Sequence, residues 1–272
     1  TGTTHGIGRV TARELARAGY EVVMLCRNQP AARAVREEIL QAVAGASIHV
    51  IPCDLASLAS VRTAAALVLE RFREIRLLVN NAGITTMRRQ QSVDGFELNF
   101  ATNHLGPFLL TELLRGRMAA PGRIINVASR VHLRGGLNLA GVRSPSGRFS
   151  PLAAYAQSKL ANVLHTFALA RRLAGTAVTV NCLHPGVVAS NLLPLWLRVI
   201  KPLISPQMFE VERGAQTTLY LALSEAVTHQ SGKYFDEFNA VQPALAASGD
   251  IAVQEALWEA SMRWVGLSAT VH

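Results

Sequence analysis

Short apolar runs alternate with amphipathic stretches along nearly the whole chain. Tyr20–Cys26, Ser47–Cys53, Arg76–Asn80, Gly122–Ala128, Ala177–Leu183 and Gly232–Phe235 have the length and composition of strands. Around them, apolar positions recur at helical spacing over Ile7–Ala18, Ala31–Val43, Leu58–Arg73, Glu97–Met118, Leu152–Leu173, Glu212–Leu223 and Asp250–Val265. Strands that alternate with helices pair in parallel through right-handed crossovers. Runs that are apolar at almost every position suit a sheet covered on both faces. The pattern predicts an α/β fold, a doubly wound parallel sheet with helices on both sides. No linker or internal repeat divides it, so residues 1–272 are read as one domain.

Two stretches break the rhythm. Arg130–Pro151 carries Gly135, Gly136, Pro145 and Gly147, and Pro185–Pro206 is apolar but interrupted by prolines. Both follow strands. They therefore fall at the carboxyl end of the sheet, where such folds bind ligands. The second stretch, within 187–210, is read as a lid. Leu137, Leu192, Leu193, Leu195, Trp196, Met208 and Phe209 are the expected apolar pocket walls. Residues 192–204 either line a pocket for a hydrophobic substrate or simply pack as a lid helix or against a second subunit.

The opening Thr1-Gly-Thr-Thr-His-Gly-Ile-Gly8 runs straight into a helical pattern. Glycines at 2, 6 and 8 can make a tight turn, admit a pyrophosphate to the backbone and let helix and strand pack closely. The helix start offers free N–H groups and a positive dipole end to phosphate. The next strand ends in Cys26-Arg27-Asn28, where such folds meet the adenosine ribose. No acid stands there to take a ribose 2′-hydroxyl, and Arg27 suits a 2′-phosphate, so NADP(H) is expected over NAD(H). His5 lies within reach of the same phosphate. Asp54 follows the Ser47–Cys53 run, where it either receives the adenine amino group or caps a helix, a role Ser57 could also fill.

Composition narrows the class further. Half of the 272 residues are hydrophobic and 17% are charged, which excludes a disordered chain. The net charge is +9, but the basic residues are scattered and do not make a nucleic-acid footprint. The three cysteines, Cys26, Cys53 and Cys182, are too few and too spread for a disulfide framework or a zinc site, so no metal is expected. A reducing, cytoplasmic location follows from the same count. No uninterrupted membrane span is visible, the most lipid-like stretch being broken by Arg198, Lys201 and prolines.

Tyr155-Ala-Gln-Ser-Lys159 places a phenol and an ammonium one turn apart on a helix face. With four tyrosines and three lysines in the chain, chance supplies ~0.04 such pairs. A cation beside a phenol lowers its pKa and makes it a usable proton donor and acceptor for an alcohol–carbonyl pair. The plain alternative is a surface Tyr–Lys contact on an amphipathic helix.

Taken together, Thr1-Gly-X-X-X-Gly-Ile-Gly8, Asn80-Asn-Ala-Gly83, Asn103, Ser129, Tyr155-X-X-X-Lys159 and His184-Pro-Gly186 make the chain resemble a classical short-chain dehydrogenase/reductase with a Rossmann-type fold. Cys53-Asp-Leu-Ala-Ser-Leu58, Thr102-Asn-His-Leu-Gly-Pro-Phe108 and Tyr155-Ala-Gln-Ser-Lys-Leu-Ala-Asn162 are similar to the branch of retinol dehydrogenases and WW-domain oxidoreductases. The resemblance implies Tyr155 as general acid/base and Lys159 on the nicotinamide ribose. It implies Ser129 on the substrate oxygen and Asn103 holding a water in a proton relay. It puts the cofactor against Gly2, Thr4, His5, Gly6, Ile7, Gly8, Arg27, Asn28, Asp54, Leu55, Asn81, Ala82, Gly83, Pro185, Gly186, Val188 and Ser190. It implies reversible hydride transfer to a hydrophobic aldehyde, ketone or alcohol, and a homodimer or homotetramer paired through Glu97–Met118 and Leu152–Leu173. His184 is read as a packed residue. Two other readings stay in view, a catalytically silent dinucleotide-binding scaffold and a basic nucleic-acid binder. The pattern also places a hydrophobic strand before Thr1, so the chain is expected to lack its first strand and any anchor or targeting segment ahead of it.

Overall fold

A computed structural model describes residues 1–143, 147–186 and 211–268. Among the described residues, six strands lie close to the predicted runs: β1 Val22–Cys26, β2 Ile48–Pro52, β3 Ile75–Asn80, β4 Met118–Val127, β5 Val178–Leu183 and β6 Tyr234–Phe235. The helices are α1 Gly6–Arg17, α2 Gln29–Ala42, α3 Leu58–Arg71, α4 Leu98–Phe100, α5 Gly106–Leu114, α6 Ala140–Arg143, α7 Pro151–Arg172, α8 Val211–Leu223 and α9 Ile251–Trp264. All named strand pairs are parallel.

Local chemistry sets most helix starts. Asn28, Ser57, Ser150 and Asp250 each accept a backbone N–H of the first turn, and Pro30 and Pro151 stand where a missing N–H costs nothing. Alternation along the strands then sorts side chains between the faces. Leu25, Ile51, Leu78, Ile124 and Val180 pack with α3, α5, α7 and α9 on one side. Met24, Ile48, Ile125, Val127, Leu183 and Phe235 pack with α1, α2 and α8 on the other.

The sheet is in two parts. One pairs β1 with β2, and the other runs β3-β4-β5-β6. Between the facing edges of β1 and β3 lies a slot of about 540 Å³, lined by residues such as Leu15, Val23, Phe72, Leu77 and Leu114. Thr1 and Gly2 close its carboxyl end. The Thr1 amine donates to the Val79 carbonyl at 2.8 Å and the Gly2 amide to the Leu25 carbonyl at 3.4 Å. The opening loop is thereby tied to both parts.

Two predicted boundaries differ. The helix expected over Glu97–Met118 breaks at Ala101–Leu105, a π turn in which the Gly106 amide bonds the Ala101 carbonyl. It then ends in a 3-10 turn at Arg115–Arg117. Every residue from Asn99 to Thr111 is buried, so no polar stripe marks the change of pitch. Strand β4 starts at Met118 rather than Gly122 and pairs Ile75 across an irregular register.

Candidate active site

The parallel registers bring five carboxyl ends to one edge of the molecule. Cys26 lies beside Pro52, Asn80 beside Asn126, and Val127 beside Leu183. The loops that leave these ends enclose a cavity of about 770 Å³. It runs from the glycine-rich opening, past Arg27, Asn28, Asp54 and Leu55, along Asn81-Ala82-Gly83, to Ser129, Tyr155, Lys159 and Pro185-Gly186. Every sequence-predicted site residue within the described chain lines it except Asn103 and the expected wall residue Leu137. Val188, Ser190 and the 187–210 lid, with Leu192, Leu193, Leu195, Trp196, Met208 and Phe209, lie outside the described residues.

The three glycines have separate reasons to be glycine. Gly6 sits at φ +58°, a conformation side chains avoid, and no atom lies within 4 Å of where its Cβ would be. Gly8 passes so close to the loop that a Cβ would lie 2.2 Å from the Gly2 carbonyl oxygen and 2.5 Å from Asn81 Nδ2. Gly2 combines both demands, at φ +68° with Ala82 Cα 2.8 Å from a Cβ. Asn81 Nδ2 donates to the Thr1 and Gly2 carbonyls, and Thr1 Oγ1 accepts from the Asn81 and Ala82 amides. The motif after β3 therefore holds the opening loop in shape. No side chain caps α1, so its first N–H groups face the cavity without a side-chain partner. An open glycine surface leading to an uncapped helix start fits a pyrophosphate.

The adenosine end is more exposed. Arg27 stands at the end of β1 with 71% of its side chain exposed, 4.0 Å from Asp54 Oδ2. Asp54 Oδ1 accepts the Ala56 amide, while Ser57 is the cap of α3. Asn28 caps α2 through Oδ1, so its side chain has a structural partner before any ligand arrives. Thr4 Oγ1 and His5 Nδ1 lie 3.0 Å apart.

The opposite end is less exposed and cross-linked. Ser129 follows β4 and opens a 3-10 turn, Arg130–Arg134, with its Oγ accepting the Val131 amide at 3.3 Å. Its interaction with the Tyr155 hydroxyl acts to hold the phenol pKa down. Lys159 is nearly fully buried and donates to the Val127 carbonyl at 2.8 Å. Its Nζ lies 5.7 Å from the Tyr155 ring centre. Burial lowers the Lys159 ammonium to about 8. Burial also pushes the Tyr155 phenol up to about 12, partly opposed by Ser129. This corrects the expectation of a phenol lowered towards neutrality. Desolvation sets the direction, and the Lys159 ammonium directs a hydrogen bond at the Val127 carbonyl.

Asn103 sits behind the wall rather than in it. Its Oδ1 accepts the Ile84 amide, and its Nδ2 donates to the Ile84 carbonyl and to Ser158 Oγ, all at 2.8–2.9 Å. Both Nδ2 hydrogens are thus engaged by protein, while Oδ1 keeps a second lone pair that a water could share. Leu137 is corrected as well, because it packs against the main core and not into the cavity. His184 is buried, and desolvation lowers its pKa to about 4.

Sequence reading missed several contributors. Ile84, Thr85, Met87, Val131 and Leu152 share the cavity with the Ser129–Tyr155–Lys159 group. Of these, Leu152 was findable, because it stands one turn before Tyr155 on the same helix. Beneath the floor, Asn80 Nδ2 donates to Asn126 Oδ1 at 2.9 Å and Asn126 Nδ2 to Thr166 Oγ1 at 2.9 Å. This buried chain fastens β3 and β4 to α7, the helix that carries Tyr155 and Lys159. Among the described residues no group of three His, Cys, Asp or Glu side chains could hold a metal ion. None of the described helices is long and apolar enough to cross a membrane.

Comparison with known proteins agrees with this architecture. Residues 1–196 match the short chain dehydrogenase family model. The chain is 39% identical to retinol dehydrogenase 13 of Homo sapiens, over 99% of this chain and 84% of that protein. It is 42% identical to dehydrogenase/reductase SDR family member 13 of Bos taurus, over 98% and 72%. Among solved structures, an uncharacterised protein from Mycobacterium paratuberculosis superposes with a TM-score of 0.80 at 33% identity, covering 99% of this chain and 93% of that one. A blue fluorescent protein from a metagenomic library, in complex with NADPH, superposes with a TM-score of 0.70 at 27% identity, over 86% and 93%. The chain therefore belongs to the short-chain dehydrogenase/reductase family, on its retinol dehydrogenase-like side, and is an NAD(P)-dependent oxidoreductase.

Proposed function

We propose that the protein carries out reversible, NADP(H)-dependent hydride transfer between the nicotinamide and a hydrophobic aldehyde, ketone or alcohol. The observation that carries this reading is the single cavity joining the glycine loop and exposed Arg27 to the Ser129–Tyr155–Lys159 group. When bound, the reduced cofactor supplies the hydride; the protein supplies the proton and the orientation.

Tyr155 is the proton donor in carbonyl reduction. With its pKa near 12 it remains a phenol at neutral pH, the form that can release Oη–H to a carbonyl oxygen. Ser129 positions that oxygen by hydrogen bonding. Lys159, charged at neutral pH and one turn from Tyr155, stabilises the phenolate left behind. Asn103 holds the Ile84 backbone and Ser158 in place, a positioning role for its side chain. Arg27 pairs with the 2′-phosphate that distinguishes NADP(H). Ile84, Val131, Leu152 and the exposed Met87 make the substrate side apolar, which favours an apolar carbonyl compound over a charged one. Three buried, unpaired thiols suit a reducing compartment.

The test is a panel of aromatic and long-chain aldehydes, ketones and alcohols, each with NADPH/NADP+ and NADH/NAD+. Turnover of apolar members with a marked preference for the phosphorylated cofactor is expected. Tight NADPH binding without turnover of any member would instead identify a silent scaffold.

A further inference from the structure

His132 is completely buried, yet both of its ring nitrogens have backbone partners in two distant parts of the chain. Nδ1 lies 2.7 Å from the Ser129 carbonyl, which also accepts the His132 amide at 3.1 Å. Nε2 faces the Leu245 amide at 3.3 Å. An amide can only donate, so Nε2 is the bare nitrogen and Nδ1 carries the proton. The ring is a neutral imidazole in one tautomer, and burial lowers its pKa in keeping with that form. Its face stands edge-on to Tyr234, with ring centres 4.7 Å apart. The turn that carries it is seated directly on α7. A Cβ on Gly135 would come within 2.8 Å of the carbonyl of Ala156, the residue next to Tyr155.

Ser129 is thus held from two directions. Its Oγ takes the Val131 amide, and its carbonyl is gripped by both N–H groups of His132. We propose that His132 is a positioning residue for the reaction, fixing the Ser129 turn so that the hydroxyl faces Tyr155. The link to Leu245 transmits the position of the segment before α9 into that turn. A phenylalanine would fill the same space against Tyr234, so packing alone does not call for an imidazole. What the imidazole adds is one donor aimed at Ser129 and one acceptor aimed at Leu245. The inference rests on the reading of Ser129 given above.

Three variants separate the parts. His132→Phe keeps the ring and loses both bonds. His132→Asn returns a donor near the Nδ1 position, and His132→Gln returns an acceptor near Nε2. On NADPH-dependent reduction of an apolar aldehyde, His132→Phe is expected to lower kcat by ~10- to 100-fold, with NADPH Kd nearly unchanged. His132→Asn is expected to recover most of kcat, and His132→Gln little of it. In a Ser129→Ala background, His132→Phe is expected to add no further loss, since the two act through one hydroxyl.

A normal kcat in folded His132→Phe, or equal kcat in folded His132→Asn and His132→Gln, overturns the proposal. If His132→Phe does not fold, the order of the other two decides. Ser129→Ala distinguishes the two levels of the argument. Full activity in that variant sinks the Ser129 reading and this inference with it. An inactive Ser129→Ala beside a fully active His132→Phe removes this inference alone.

Discussion

The two ends of the cavity are built on opposite principles. At the β1–β2 end, recognition is by backbone shape and exposed charge. Glycines bare the main chain, the start of α1 is left uncapped, and Arg27 reaches into solvent. At the β3–β6 end, the working groups are partly or fully buried and nearly every one is tied to a neighbour. Lys159 is fixed to Val127, Asn103 to Ile84 and Ser158, and Asn80 to Asn126 and on to Thr166. An exposed charge can be exchanged at little structural cost, because water replaces its partners. A buried polar group cannot be removed without stranding another. The first end should therefore be adjustable and the second intolerant.

The sharpest way to break this contrast is Tyr155→Phe. It deletes one hydroxyl at the β3–β6 end and leaves the cofactor end untouched. Turnover should fall by ~10²- to 10⁴-fold, the range a positioned acid/base contributes. NADPH binding, followed by fluorescence, should hardly change. Near-normal turnover would remove Tyr155 from its role.

Arg27→Asp tests the adjustable end. A charge-assisted hydrogen bond to phosphate is worth ~1.5–3 kcal/mol, or roughly 10- to 150-fold in binding. The ratio of kcat/KM for NADPH over NADH should drop by that factor, with thermal stability nearly unaffected. An unchanged ratio would mean that the phosphate is read elsewhere.

Next in size is the pH response of carbonyl reduction. Tyr155 stays protonated to about pH 12, so it imposes no limit in the working range. Lys159 loses its charge as pH rises through about 8. The rate should be level near neutrality and then fall by up to tenfold per pH unit above about 8, because the phenolate left by proton transfer loses its stabilising cation. A kcat profile flat to pH 10 would show that the lysine charge does not matter to the step.

How far the sequence revealed this site depends on the kind of residue. The strands were legible because a doubly covered sheet needs unbroken apolar runs. The glycine loop and the Tyr155–Lys159 spacing were legible because each motif is local. The π turn around Asn103 was not, since burial on all sides erases the periodicity that marks pitch. His132 and the Asn126–Thr166 link were invisible for another reason. Their partners lie 113 and 40 positions away, and a lone histidine or asparagine in an apolar context looks the same whether or not it is satisfied. The direction of the Tyr155 shift is not legible in the sequence, because spacing gives proximity to a cation but not depth of burial.

The smallest expected effect sharpens the boundary between the two ends. Asn28 lines the cavity, but its Oδ1 already accepts the Ala31 amide at 3.1 Å and caps α2. Two roles are thus possible for one side chain, and they leave different traces. As a cap, Asn28→Ala costs about 1 kcal/mol of stability, read as a lowered midpoint in urea, and leaves the NADPH KM in place. Asn28→Ser restores the cap and with it the midpoint. As an adenosine contact, both variants raise the NADPH KM whatever happens to stability. We expect the first result. The oxygen that could meet a ligand is already engaged in the folded chain, and a cap supports the mouth of the cavity without touching its contents.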